Sequence, residues 1–282
     1  MRWIDDRRVA TVIQPFVSAL ARKQAKIDGE TDLAKRRRRV KTPPACWPEV
    51  RLQLASVNYN KCWYTESKTD PGELDIDHFR PKGRVAGEVH PGYYWLAYNW
   101  RNFRIARKVS NTRNRRRAAD DLFGKGDHFP LLTGVRASRP GDEGLESPSL
   151  LDPFVFAEAE AIYYASNGEP QLSPKFRDDP VMLERFKITR QLYNLDRFNG
   201  DRYRLITQIE RYVDAVKIAL GSHSEGVPIA ADHPAMPFIE EIVRLIEPEA
   251  EFCSATRAFV ATLPYWWVRS YLLRIPEARE AT

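Results

Sequence analysis

Apolar residues recur at helical spacing through the first 30 positions, at Val9, Val12, Ile13, Phe16 and Leu20. That pattern predicts one or two helices over 3–30 with a kink at Pro15, because proline removes a backbone donor and crowds the preceding turn. A second amphipathic stretch predicts a helix over 47–59. Between them lies the basic run Lys35-Arg36-Arg37-Arg38-Arg39-Val40-Lys41, closed by Pro43-Pro44; it reads either as a solvated face or flexible arm, or as a phosphate-binding element. From 61 to about 132 the texture changes to Gly, Pro, Asn, Trp and Tyr, with β-compatible pieces at 74–79 and 93–96 and turns at Pro71-Gly72 and Pro91-Gly92. A Gly/Ser/Pro-rich loop occupies 139–153, and a short strand over 161–165 turns at Asn167-Gly168. Helical patterning then dominates 179–220, interrupted at Asn199-Gly200, and continues over 237–247 and 249–275. No internal repeat is present. The pattern predicts an α+β, mainly helical chain with a small irregular ββα-like centre surrounded by helices.

Composition narrows the class. With 43% hydrophobic residues and 11% aromatics in 282 residues, the chain can bury a core and is not a disordered protein. The net charge of +6 hides an asymmetry: residues 1–140 carry +14 and residues 141–282 carry −8. A basic front half suggests a surface that faces a polyanion. Three scattered cysteines, Cys46, Cys62 and Cys253, argue against a disulfide framework. No apolar run approaches the roughly 20 residues that span a bilayer, and Asp5 and Asp6 stand where a signal peptide would be positive. A cytoplasmic protein is expected.

Among the five histidines, His223 and His233 lie in loop-like surroundings, His90 precedes a turn and His128 precedes Phe129-Pro130. His78 differs. It lies in Asp75-Ile76-Asp77-His78-Phe79-Arg80-Pro81-Lys82, where an acid and an imidazole meet at the end of a short strand. Downstream come Trp100-Arg101-Asn102-Phe103 and, nine residues after Asn102, Asn111 in Ser110-Asn111-Thr112-Arg113-Asn114-Arg115-Arg116-Arg117. The series His78, Asn102, Asn111 resembles the HNH (His-Me finger) nuclease motif in order and final spacing.

Further segments narrow the resemblance: Cys62-Trp63-Tyr64-Thr65-Glu66, Tyr94-Trp95-Leu96-Ala97-Tyr98-Asn99, Phe129-Pro130-Leu131-Leu132, Leu151-Asp152-Pro153, Gly168-Glu169-Pro170 and Phe252-Cys253-Ser254-Ala255. Together they are similar to the HNH proteins of Septu and retron anti-phage systems, the PtuB-like family, over roughly 45–260. The resemblance implies a small ββα-metal core wrapped by N- and C-terminal helices: a helical arm with the basic run over 1–60, an HNH nuclease core over 61–135, and a helical, acidic partner-docking region over 136–282. By the same resemblance His78 is the general base, Asn102 ties the loop together, and Asp77 and Asn111 ligate Mg²⁺ or Mn²⁺. An imidazole with a pKa near 6.5 suits proton abstraction from water, and two oxygen ligands leave a divalent ion open to water and phosphate. Arg80, Lys82 and the run Arg113, Arg115, Arg116, Arg117, read as lying on the finger's helix, are the expected phosphate contacts.

The chain departs from the family pattern in one respect. Of the four positions that would form two Cys-x-x-Cys knuckles, namely Cys62, Thr65, Arg107 and Ser110, only the first is a cysteine, so no structural zinc is expected. Packing by Trp63, Tyr64, Trp95 and Trp100 is expected to hold the finger instead. The lysine that usually follows the last motif asparagine reads as Asn114 here. The resemblance implies an endonuclease effector of phage defence, acting on DNA in the first instance and on tRNA or other RNA as alternatives. It also implies an ABC-type, PtuA-like ATPase partner and a retron reverse transcriptase with its DNA. The competing reading is a catalytically degenerate nucleic-acid-binding or assembly subunit of the same system.

Overall fold

In the computed structural model, which describes residues 1–115 and 122–273, helix α1 (Asp6–Ile13) begins at Asp5, whose carboxylate accepts the Arg7 N–H at 2.9 Å. An acidic side chain in that position satisfies one of the orphan donors of the first turn. Pro15 imposes a 3-10 turn over Gln14–Phe16 before α2 (Val17–Asp28) resumes. The basic run forms α3 (Leu33–Lys41), started by Asp32, which accepts the Lys35 N–H at 2.8 Å. Only Val40 of this helix is buried, and the cations of its last turn sit favourably at the negative end of the helix dipole. Helix α4 (Trp47–Ser56) follows with Pro48 in its first turn, where the missing N–H costs nothing.

Two short strands then set the centre. β1 (Leu74–His78) pairs antiparallel with β2 (Phe103–Arg107) in a register running from Leu74 opposite Arg107 to His78 opposite Phe103. One helical turn, α5 (Lys108–Asn111), packs on both strands. The segment 93–96 is not a strand: Tyr94–Leu96 is a 3-10 turn, with Leu96 and Ala97 donating to the carbonyls three residues back. Just before it Gly92 passes so close to Gly83 that any Cβ would lie 1.5 Å from the Gly83 carbonyl oxygen, an approach only glycine allows. Arg113 and Arg115 do not continue the helix either, and Arg116 and Arg117 lie outside the described residues. Thr112 leaves the helical region, and β3 (Asn114–Arg115) pairs with β4 (Leu122–Phe123) in a β excursion.

Helix α6 (Phe156–Ala159) is a single turn, and β5 (Ile162–Tyr164) pairs with β6 (Pro170–Leu172). The helices of the second half are α7 (Pro180–Leu192), capped by Asp179, α8 (Asn199–Leu220), α9 (Met236–Ile246) and α10 (Cys253–Val260). The break between α7 and α8 is the 3-10 segment Leu195–Phe198, so Asn199-Gly200 opens α8 and does not interrupt it. The stretch 249–275 is likewise shorter in α-helix than its pattern predicts, because α10 ends at Val260 and a π-helical turn, Val268–Leu272, follows separately. The architecture is α+β and mainly helical. Among the described residues no helix is long and apolar enough to cross a membrane.

The chain divides into two compact units, one of Met1–Ile162 with Leu172–Asp196 and the other of Tyr163–Gln171 with the chain from Arg197 onward. The first thus contains all of 1–135, while 136–282 contributes to both. Its core joins Val9, Ile13, Leu20 and Ile27 of the N-terminal helices to Val50 and Leu54 of α4 and to Leu74, Phe103 and Ile105 of the strands. The second unit buries Ile206, Ile209, Val213 and Val216 of α8 against Ile239, Ile242 and Ile246 of α9, the i, i+3, i+7 face of an amphipathic helix.

A buried ion pair braces the first unit. Arg104, in the middle of β2 and 2% exposed, donates to both carboxylate oxygens of Asp152 at 2.7 and 2.5 Å and lies 3.7 Å over the Phe154 ring. Such a pair contributes little net stability when intact but costs about 3–5 kcal/mol when one partner is removed, since the other charge is left buried alone. Arg104→Ala is expected to destabilise the protein by about that amount, read as a lowered urea midpoint followed by tryptophan fluorescence. An unchanged midpoint would show that the pair does not brace the unit.

Candidate functional site

β1 ends on Asp77 and His78, and the two-residue period of a strand sends their side chains to opposite faces. Pairing stays regular to the last residue, so no bulge turns them to the same side. On one face the His78 ring lies parallel to Trp47, with centroids 6.2 Å apart, and edge-on to Phe103 at 5.3 Å. Its Nε2 is 2.8 Å from the Ala97 carbonyl oxygen. A carbonyl can only accept, so Nε2 carries the proton and the lone pair of the neutral ring lies on Nδ1. Burial holds the His78 pKa well below its ordinary value, aided by the positive charges of Lys82 and Lys125 and opposed by the bond to Ala97.

On the other face the Asp77 carboxylate is 4% exposed and held at both oxygens. Tyr64 donates its hydroxyl to Oδ2 at 2.5 Å and Lys125 donates Nζ–H to Oδ1 at 2.9 Å. Lys125 Nζ also reaches the His78 carbonyl oxygen at 2.5 Å. Tyr64 stacks on Tyr193 with centroids 3.7 Å apart. Burial and the charge of Asp77 push its phenol pKa well up, which keeps the hydroxyl a donor.

Asn102 closes the loop that follows β1. Its Oδ1 accepts the Arg80 N–H at 2.8 Å and its Nδ2 donates to the Arg80 carbonyl at 2.9 Å, while its own carbonyl accepts the Phe79 N–H at 2.9 Å. Both backbone polar groups of Arg80 are thus satisfied by one side chain, which fixes the exit of the chain from His78. Asn111 ends α5 and is half-buried; its side chain makes no hydrogen bond to another described residue, and its carbonyl accepts the Gly126 N–H at 2.7 Å. The ββα element therefore brings Asp77, His78, Asn102 and Asn111 onto β1, the turn entering β2, and α5.

The basic residues are distributed differently. Arg80 is bound within the first unit: its Nε donates to Glu146 at 2.7 Å and its Nη2 to the Glu143 carbonyl at 3.2 Å. Lys82 is half-buried with its ammonium 5.7 Å from the Trp47 ring centroid. Arg113 is exposed. Arg115 lies on β3, and Arg116 and Arg117 fall outside the described residues.

Lys125 is the residue that spacing along the chain does not reveal. It lies eleven positions beyond Asn114, on the far side of the β3–β4 pair from Asn111. The chain returns alongside α5, with the Lys125 N–H donating to the Ser110 carbonyl at 2.9 Å. Gly124 makes this return possible: its φ is +84°, and a Cβ there would lie 1.9 Å from the Thr112 oxygen. The signal available in sequence was the Gly124-Lys125-Gly126 triplet, two glycines around a single cation.

The knuckle positions differ in their surroundings, and the Ser110 hydroxyl is buried without a hydrogen-bond partner among the described residues. Cys62 is a buried free thiol, the Thr65 hydroxyl meets the Ser67 hydroxyl at 2.8 Å, and the Trp63 N–H donates to the β2 carbonyl of Ile105 at 2.8 Å. Of the four aromatics expected to hold the finger, Trp63, Tyr64 and Trp95 are buried and Trp100 is half-buried. As for a divalent ion, the end of β1 already gathers positive charge: Asp77 Oδ1 and the His78 carbonyl converge on the Lys125 ammonium. Oxygen donors of this kind suit Mg²⁺ or Mn²⁺, but among the described residues no group of three or more His, Cys, Asp and Glu side chains gathers to hold a metal ion. Lys125 is the group such an ion would displace.

No protein-family model matches the chain. Over 126 residues it is 31% identical to the Septu protein PtuB of Bacillus mycoides (strain KBAB4), a match covering 42% of this chain and 39% of that protein. The chain thus aligns with about two fifths of the curated relative. This partial match supports membership of a PtuB-like family.

Proposed function

We propose that the chain is a metal-dependent HNH-type endonuclease that hydrolyses phosphodiester bonds of nucleic acid, DNA in the first instance, as the effector of an anti-phage defence system. The match to a Septu protein supports a role as a component of such a system. One observation carries the catalytic part of the reading: the Ala97 carbonyl accepts from His78 Nε2 at 2.8 Å. A ring held through Nε2 leaves the lone pair on Nδ1, and burial, which lowers the ring's pKa, keeps it neutral and able to accept a proton. Trp47 and Phe103 confine the ring in the plane this bond sets. Asn102 acts as a positioning residue, fixing the Phe79–Arg80 backbone so that the base and any bound phosphate keep their relation.

Asp77 and Asn111 would hold Mg²⁺ or Mn²⁺. When bound, the ion stabilises negative charge that develops on the phosphate and leaving oxygen. Water deprotonation belongs to His78, and Lys125 keeps the buried Asp77 carboxylate neutralised until a cation arrives. The acidic second half would dock an ABC-type, PtuA-like ATPase, and with it the retron components named above.

With Mg²⁺ or Mn²⁺ present, the purified chain, alone or with its ATPase, is expected to cut plasmid DNA, and chelation with EDTA should abolish the cutting. His78→Ala should lower the rate by about 100-fold or more with an unchanged circular dichroism spectrum. Wild-type rates in that variant would overturn the assignment, and binding without cleavage by the native protein would favour the degenerate-subunit reading. Lys125→Met keeps the side-chain length and removes the resident ammonium. It is expected to tighten Mn²⁺ binding by roughly tenfold in calorimetry, the scale of one close charge near a buried carboxylate. Equal or weaker Mn²⁺ binding would show that the ammonium and the ion do not compete.

A further inference from the structure

A cleft of about 680 Å³ lies in the first unit between α3 and the loop 82–94. Five of its lining residues are cations: Arg36, Arg37 and Lys41 from the helix, Lys82 and Arg84 from the loop. Its one carboxylate, Glu88, is taken by Arg136, which donates to it from Nε at 2.6 Å and again from Nη2. Arg37, Lys41 and Arg84 are exposed and have no carboxylate partner among the described residues. The wall is also apolar and planar. The Arg36 guanidinium lies 4.4 Å over the Tyr94 ring and is fixed there by two hydrogen bonds to the Glu30 carbonyl at 2.8 and 2.5 Å. Val89 projects fully into solvent at the rim. At the inner end Lys82 faces Trp47, the ring that stacks on His78.

Unpaired cations on two walls call for a polyanion with regularly spaced charges. The Arg36–Tyr94 stack and the bare apolar rim call for flat π-faces, which a duplex hides inside its own stack and an unpaired strand exposes. We propose that this cleft binds an unpaired nucleic-acid strand and leads it to His78, with phosphates on Arg37, Lys41, Arg84 and Lys82 and a base on the Arg36–Tyr94 stack. The inference rests on the nuclease reading only for what happens at the inner end. The α3 run and the ββα element, far apart in sequence, thereby form one surface.

The test measures fluorescence anisotropy in EDTA, so that no cleavage occurs, with fluorescein-labelled (dT)20, (rU)20 and a 20-base-pair DNA duplex on the full chain. The double variant Arg37→Glu/Lys41→Glu is expected to weaken binding of the single strands at least tenfold and to lower the salt slope by roughly 1.4, the value for two lost phosphate contacts on a single strand. Tyr94→Leu should weaken single-strand binding by roughly tenfold, within the range for loss of one stacking platform, and leave the duplex unchanged. Unchanged single-strand affinity in either variant overturns the proposal, as does an equal loss for single strand and duplex on Tyr94→Leu. The two single strands separate DNA from RNA as the source of the same chemistry. Plasmid cleavage in Mg²⁺, run in parallel, keeps the two readings apart. Cleavage by the native chain with unaltered binding in the cleft variants removes the cleft alone. Loss of binding in the variants of a chain that never cleaves keeps the cleft and removes the nuclease.

Discussion

The alternation of β1 governs what the rest of the site can be. Consecutive residues of a regularly paired strand point to opposite faces, and β1 keeps its register with β2 through His78. One step along the chain therefore separates two environments. His78 enters an aromatic enclosure of Trp47 and Phe103 and finds a carbonyl, Ala97, for one ring nitrogen. Asp77 enters a polar interior where Lys125 and Tyr64 satisfy its oxygens. A slip of one residue would place the carboxylate among aromatic rings and the imidazole beside an ammonium, and both would be disfavoured.

The two faces are joined by the chain itself. Lys125 touches both the Asp77 side chain and the His78 carbonyl, and its position follows from the return of the chain along α5 at Gly124. Asn102 does the corresponding job after β1 by bonding both backbone groups of Arg80. Neither residue is near Asp77 or His78 in sequence. Together with the Arg104–Asp152 pair beneath β2, they make the end of β1 rigid in the interior while Asn111 and the α3–loop cleft remain accessible.

Much of the fold was legible because local chemistry decides it. Pro15 breaks the first helix, and the turn at Asn167-Gly168 closes the hairpin of β5 and β6. That Asp77 and His78 close a short strand was also legible. What escaped depends on distant partners. β2 was not among the strands expected from the sequence, and the partner that neutralises its buried Arg104, Asp152, lies 48 residues away. Lys125 escaped because the length of the β3–β4 excursion cannot be read from spacing. The cleft escaped because Arg37 and Arg84 become neighbours only when α3 packs through Val40.

The state of the His78 ring tests the account most directly. Long-range ¹⁵N–¹H correlation spectra of the histidine rings at neutral pH, with His78 assigned by its loss in His78→Gln, report which nitrogen bears the proton. The account predicts a neutral ring with Nε2 protonated and Nδ1 carrying the lone pair, as the Ala97 carbonyl requires. A ring protonated on Nδ1, or one that averages between the two tautomers, would contradict it.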